Sequence, residues 1–295
     1  MVGEDGELLA GFGDLDRPFY LRSAAKPFQA LVSQEAGADL TPLELAVACS
    51  SHRGFPAQLS LVTSILAAAG LDESDLRCPP GWPIHDAAMR LAASGGAAEP
   101  RRLFHNCSGK HSGFLRACVA SGWPTDSYLS PDHPLQVRVR ETVAELSGHS
   151  PDPVGVDGCG APVLRTTTLA MARLFARLAV DERLGGVFDA MHRYPALIGA
   201  NDQGDSTIAM ATYSAAKGGA EGCLGVASRT GLGVAVKCWD GSGEVAGLAA
   251  ASALEQMGVL GATALAGLDH VLHPPVHGGG GQVGSLEPRF RLEPR

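Results

Sequence analysis

The strongest limit on how this chain can fold is where its two hydrophobic periodicities fall. Apolar residues at three and four spacing fill the middle, while alternating, strand-like stretches lie near both ends. Expected strands are 7–12 and 19–21, joined by a turn at Gly13-Asp14, then 223–227 and 233–239, joined around Thr230-Gly231. Between them, helices are expected over 23–36, 42–50, 56–69, 84–93, 113–121, 135–146 and 169–180, with another over 245–257. Thr41-Pro42-Leu43-Glu44 is a capping box with proline at the first helical position. Pro27 lacks an N–H and disfavours a helical residue before it, so Ser23 falls at or just before a helix N-terminus. Residues 274–284 read as a mobile glycine-rich loop and 289–292 as a last strand. Helices flanked by strands specify an α+β domain whose sheet unites the termini.

Composition narrows the class. The 295 residues are 45% hydrophobic and 18% charged, as in a soluble globular protein with a large core. A net charge of -8 argues against nucleic acid or an anionic membrane as the partner. No uncharged apolar run is long enough to span a bilayer. Met1–Gly6 carries two acids and no signal pattern, so a cytoplasmic location is expected. Seven scattered cysteines suit a reducing compartment better than a disulfide framework. Cys118 is expected to be an ordinary buried thiol.

The chemistry concentrates in a few motifs. Asn106-Cys-Ser-Gly-Lys-His-Ser-Gly-Phe114 puts a thiol, hydroxyls, an amine and an imidazole on what reads as a tight glycine turn. Ser23-Ala-Ala-Lys26 is an S-x-x-K arrangement, whose hydroxyl and amine share a helical face. A neutral lysine there can take the serine proton. Taken alone, the pattern is also that of a helix N-cap followed by a surface lysine. Ser50-Ser51-His52 closes a helix and has an ordinary structural reading. Asp157-Gly-Cys159 has the look of a binding loop. Cys107 and Cys159, with His111 or Lys110, could hold zinc, although no C-x-x-C pair supports this from spacing. Lys237 shares its strand face with Gly233 and Ala235, small neighbours over which an amine could reach inward; the alternative is a solvent-facing lysine.

Together these segments resemble the asparaginase II family of L-asparaginases. The likeness rests on Leu21–Ala30, Glu44–His52, Asn106–Gly113, Val156–Pro162, Lys217–Cys223 and Gly231–Gly241, which run in family order across nearly the whole chain. Residues 78–83 and 132–136 also look familial. The resemblance implies a serine β-lactamase/glutaminase-like fold, an antiparallel sheet with a helical lobe and the site between them, in a homodimer. It implies hydrolysis of L-asparagine to aspartate and ammonia. Ser23 would be the nucleophile with Lys26 its base, and Ser51 with Lys237 a second pair. Cys107, Lys110 and Cys159 match zinc-binding positions, the metal aiding substrate orientation. Asp157, His111 and Cys223 fall beside the substrate.

This chain departs from the family pattern in three places. It begins inside what is usually the first sheet segment, so a single domain over 1–295 lacking the opening strand is expected. His105 stands where a second asparagine is usual, and Gly199–Thr207 lacks the usual basic residue; both bear on substrate affinity. Two rival readings remain. A penicillin-recognising-type serine hydrolase also uses S-x-x-K, but adds S-D-N-like and K-T-G motifs, of which Arg229-Thr-Gly231 is a partial echo. A catalytically impaired relative would bind zinc and the amino acid without turnover.

Overall fold

The computed structural model describes residues 1–199 and 204–294. It is an α+β structure built around a three-stranded antiparallel sheet, Ser214–Gly219, Cys223–Ser228 and Gly233–Lys237, in that spatial order. Side chains alternate across a strand, so this sheet divides two cores. Ala215, Cys223 and Ala227 face the large helical core, while Ala216, Leu224, Val226 and Val234 face a smaller one. Thr168–Val180 packs on the first face; a Cβ at Gly225 would overlap the Phe175 ring. Gly243–Gln256 covers the other face through Ala246, Ala250 and Leu254.

The helical lobe consists chiefly of Lys26–Glu35, Pro42–Cys49, Pro56–Ala68, Ser108–Ser121, Pro134–Ser147 and Gly185–Arg193. The Thr41–Glu44 capping box forms as its sequence requires, side chain and backbone bonding in both directions. Other starts carry a proline at the first turn. Among the described residues, no helix is long and apolar enough to cross a membrane.

Several expectations change. The stretches near 10 and 19 do not form a hairpin with each other. Ala10–Gly11 pairs with Glu293–Pro294, and Phe19–Tyr20 pairs with Arg165–Thr166. The termini do meet in sheet, aided by the Val2–Gly233 bridge. Residues 275–278 and 281–285 are an exposed β-hairpin where a loop was expected. The motif around Cys107 is no glycine turn: Ser108–Ser121 is one helix, and Gly109 lies inside it. A Cβ at Gly109 would collide with the Val47 carbonyl, so that glycine lets two helices touch.

Candidate active site

The S-x-x-K segment splits into a 3-10 turn, Arg22–Ala25, and the α-helix that Lys26 begins. Arg22 sits at φ 49°, left-handed backbone that a non-glycine residue adopts only at a cost. Its guanidinium offsets that cost by pairing with Asp157 at 2.7 Å and with Glu221. The kink directs Ser23 into a cavity of about 760 Å³ between the sheet and the helical lobe. Ser51, Asn106, Asp205, Lys217, Gly219 and Cys223 also line it.

Lys26 is buried, and its ammonium reaches across to the end of the Pro42–Cys49 helix. Nζ donates to the Ser50 carbonyl at 2.6 Å and to Ser51 Oγ at 3.1 Å. Burial pushes this amine down to about 8, with Cys107 opposing the shift and Lys217 and Lys110 adding to it. The hydroxyl that Lys26 touches is therefore Ser51, not the Ser23 of its own motif. Next in the chain, His52 is buried with Nε2 at 2.7 Å from Ser108 Oγ, and burial drops it to about 3. It is a neutral strut under the site.

Lys237 is not part of this cavity. Its ammonium donates to the carbonyls of Glu221 and Cys238 and lies over the Phe19 and Trp239 rings. It lines a separate, mostly apolar cavity of about 270 Å³ near the chain ends. A lysine that does line the large cavity is Lys217, whereas Lys26 reaches it through Ser51. Lys217 is in the Ser214–Gly219 strand on the helical-lobe face, 2% exposed, with Nζ 3.4 Å from Asp205 Oδ2. One signal pointed to it: a lysine followed by two glycines inside a motif already assigned to the family. Ser-Ala-Ala-Lys-Gly-Gly has no β-branched or aromatic residue and does not read as a strand, so its local sequence hides the element.

The thiol cluster lies behind the cavity wall. Cys107 and Cys159 are both buried, and Lys110 Nζ is 3.1 Å from Cys159 Sγ. A hydrogen bond with Cys159 holds the Cys107 thiol well below its ordinary value, against burial. Burial alone would lower Lys110, but Cys159 and Cys107 outweigh it and hold the amine up. His111 is buried against the Tyr128 hydroxyl at 2.7 Å, and burial drops it to about 4. Its Nε2 is buried without a well-formed hydrogen bond. Among the described residues, no three His, Cys, Asp or Glu side chains are grouped as a metal site. Asp157 accepts from Arg22 and from the Gly158 N–H at 2.8 Å, which ties the Cys159 loop to the Ser23 turn. His105 takes a backbone task, its Nδ1 accepting the Cys107 N–H at 3.0 Å. Cys223 Sγ sits 3.5 Å from the Leu21 carbonyl, at the base of that same turn. All seven cysteines are free thiols. Of Gly199–Thr207, residues 200–203 lie outside the described residues. The Arg229–Gly231 echo of K-T-G is at the turn between two strands and does not line the cavity.

The molecule is thus an α+β protein whose sheet lines a serine-bearing cavity with the buried Lys217, and whose helical lobe sets the buried Lys26 against Ser51 on its wall. The family described as L-asparaginase II matches residues 1–288, and the chain belongs to it. No curated protein matches the chain. The family's name points to an amidohydrolase acting on asparagine.

Proposed function

We propose that the protein hydrolyses the side-chain amide of L-asparagine through a serine nucleophile and a lysine base. The observation that carries this reading is one cavity lined by Ser23 and Ser51, with the Lys26 amine 3.1 Å from Ser51 Oγ. Lys26 titrates near 8, so part of it is neutral at neutral pH and able to accept a proton. Ser23 Oγ attacks the carboxamide carbon while its proton passes by way of the Ser51 hydroxyl to Lys26. Lys26 returns that proton to the departing nitrogen, and ammonia leaves. Water then attacks the acyl-serine ester, giving aspartate and free Ser23. Lys237 has no part in this scheme; Lys217 supplies the second amine at the cavity.

The donors around Cys107 fit a thiophilic divalent cation. Two thiols, one held towards thiolate, face an amine, and a buried imidazole nitrogen nearby lacks a good partner. In this reading Cys107, Cys159 and Lys110 hold zinc, which when bound supplies a Lewis-acidic anchor for a polar group of the substrate. Lys110 must lose its proton to serve as a ligand, so zinc affinity should weaken as pH falls.

A serine β-lactamase-like fold is favoured by Lys217-Gly218-Gly219 lying on a strand against the S-x-x-K turn; the Gly219 backbone is so close that a Cβ would sit 2.6 Å from the Leu21 carbonyl. Penicillin-recognising hydrolases combine S-x-x-K with a Lys-x-Gly signature. The chain is read as one domain acting as a cytoplasmic homodimer, an assembly that light scattering in solution would check. The deciding experiment is ammonia release from asparagine by the wild type and by Ser23→Ala. Loss of turnover in a folded variant, with an acyl adduct on Ser23 in the wild type by mass spectrometry, supports the reading. Full activity in Ser23→Ala overturns it.

A further inference from the structure

Arg53 is a half-buried cation on the helical-lobe side of the large cavity. Among the described residues its guanidinium has no ion pair and no hydrogen bond, and its Nε is buried. A guanidinium does not shed its proton, so the charge is permanent. Two carboxylates line the same cavity, and neither answers it. Asp205 is held by Lys217 and by the N–H groups of Gly218 and Ser206, and Glu244 forms no ion pair with Arg53. A charge that a ligand will cover calls for an anion on that ligand.

Arg53 is also fixed close to the chemistry. The Ser51 N–H donates to the Ile198 carbonyl at 2.9 Å, the His52 N–H to the Asn106 carbonyl at 3.2 Å and the Arg53 N–H to Gln58 Oε1 at 3.0 Å. Ser51 and Arg53 both line the cavity, while His52 between them is fully buried. The hydroxyl and the guanidinium thus face the same side, as alternate residues of an extended segment do. In the amide-hydrolysis reading, the leaving nitrogen takes its proton from Lys26, which bonds Ser51. That nitrogen departs on the Ser51 side, so any substituent it carries is the part of the substrate nearest Arg53. Asparagine carries none there. The cavity, at about 760 Å³, is of the size that drug-sized ligands occupy and has room for more than asparagine. Ile84 and Pro274 add apolar surface to its wall.

Resting on that reading, we propose that Arg53 is a specificity-determining residue that binds a carboxylate on the leaving group. The substrate class is then β-aspartyl dipeptides, in which the amide nitrogen belongs to a second amino acid with a free carboxylate. Ser23 Oγ bonds to the β-carbonyl carbon, and the carbon–nitrogen bond breaks. Its electron pair stays on nitrogen, which receives the Ser23 proton by way of Ser51 and Lys26 and leaves as a free amino acid. Water then cleaves the acyl-serine ester to aspartate.

The test compares β-aspartylglycine with β-aspartylglycinamide, which differ only in the charge of the leaving group. Wild-type kcat/KM should favour the first by about tenfold or more, the scale of one hydrogen bond to a charged group. Arg53→Gln should bring that ratio close to one, chiefly through KM, and Arg53→Lys should keep part of it. Circular dichroism checks that both variants fold. Were Arg53 to hold the α-carboxylate instead, Arg53→Gln would impair both peptides alike and leave the ratio unchanged, and that result overturns the inference. Equal turnover of the two peptides by the wild type overturns it too, as does ammonia release from asparagine with no cleavage of β-aspartylglycine. The hydrolase reading survives all three. If the wild type cleaves nothing, calorimetry with the same peptides decides. An Arg53-dependent preference for the acid keeps the binding assignment and sinks the hydrolase reading; equal binding sinks both.

Discussion

In the proposed mechanism one buried side chain, Lys26, sets the pH profile. Its folded-state value of about 8 lies below the 10.5 of a free lysine, because burial disfavours the charged form. A base must be neutral, so kcat/KM for asparagine should rise with pH through about 8 and level off above it. Lys26→Arg, charged at every accessible pH, should remove that limb and cost at least about a hundredfold in rate. A profile flat from pH 6 to 9 would mean that another group takes the proton. Lys217 and Lys237 make a matched control. Lys217→Ala should damage activity on asparagine severely. Lys237→Ala removes an amine that caps two carbonyls outside the cavity, so it should cost about 1 kcal/mol of stability and leave kcat within about threefold. Steady-state kinetics beside chemical denaturation of both variants separates the two roles.

Helices here are determined partly by local signals and partly by contact. Thr41 bonds to Glu44 in both directions, an interaction complete within four residues, and Thr41→Ala should cost about 1 kcal/mol. Gly109 is different in kind. Nothing near it in sequence says why it must be glycine; the reason is the Val47 carbonyl of another helix. Gly109→Ala should destabilise by about 3 kcal/mol, because Ser108–Ser121 must shift away from Pro42–Cys49. Since that helix carries Lys110 and adjoins Cys107, its displacement should also weaken any zinc binding by the proposed Cys107, Lys110 and Cys159 set. A thermal melt unchanged within about a degree would show that the contact relaxes freely. The strand Ser214–Gly219 teaches the same lesson in reverse. Its small residues are poor β-formers, and they are there because Gly219 lies against the Leu21 carbonyl and the Cys223 thiol. Propensity therefore hid the element that carries Lys217.

At the scale of the whole molecule, the sheet is the wall shared by two cores. Loss of either core strips one face of the same three strands, so unfolding should occur as a single transition. Calorimetric and van't Hoff enthalpies should then agree. Two resolved transitions would mean that the Gly243–Gln256 side melts apart from the helical lobe. The meeting of the chain ends, Ala10–Gly11 with Glu293–Pro294, was legible as a class of architecture but not as a register. Strands of two residues carry no periodicity from which a partner could be read. The family, the α+β class, the helix start at Thr41, and the thiol and hydroxyl motifs were all readable from the chain itself, because caps, prolines and motif spacing act between near neighbours. Which hydroxyl meets Lys26, which of two lysines reaches the cavity and which acid accompanies it were decided only by tertiary structure. Those pairings join residues such as Lys26 and Ser51, or a strand and the turn it packs against, and burial by distant segments is what lowers Lys26 to about 8.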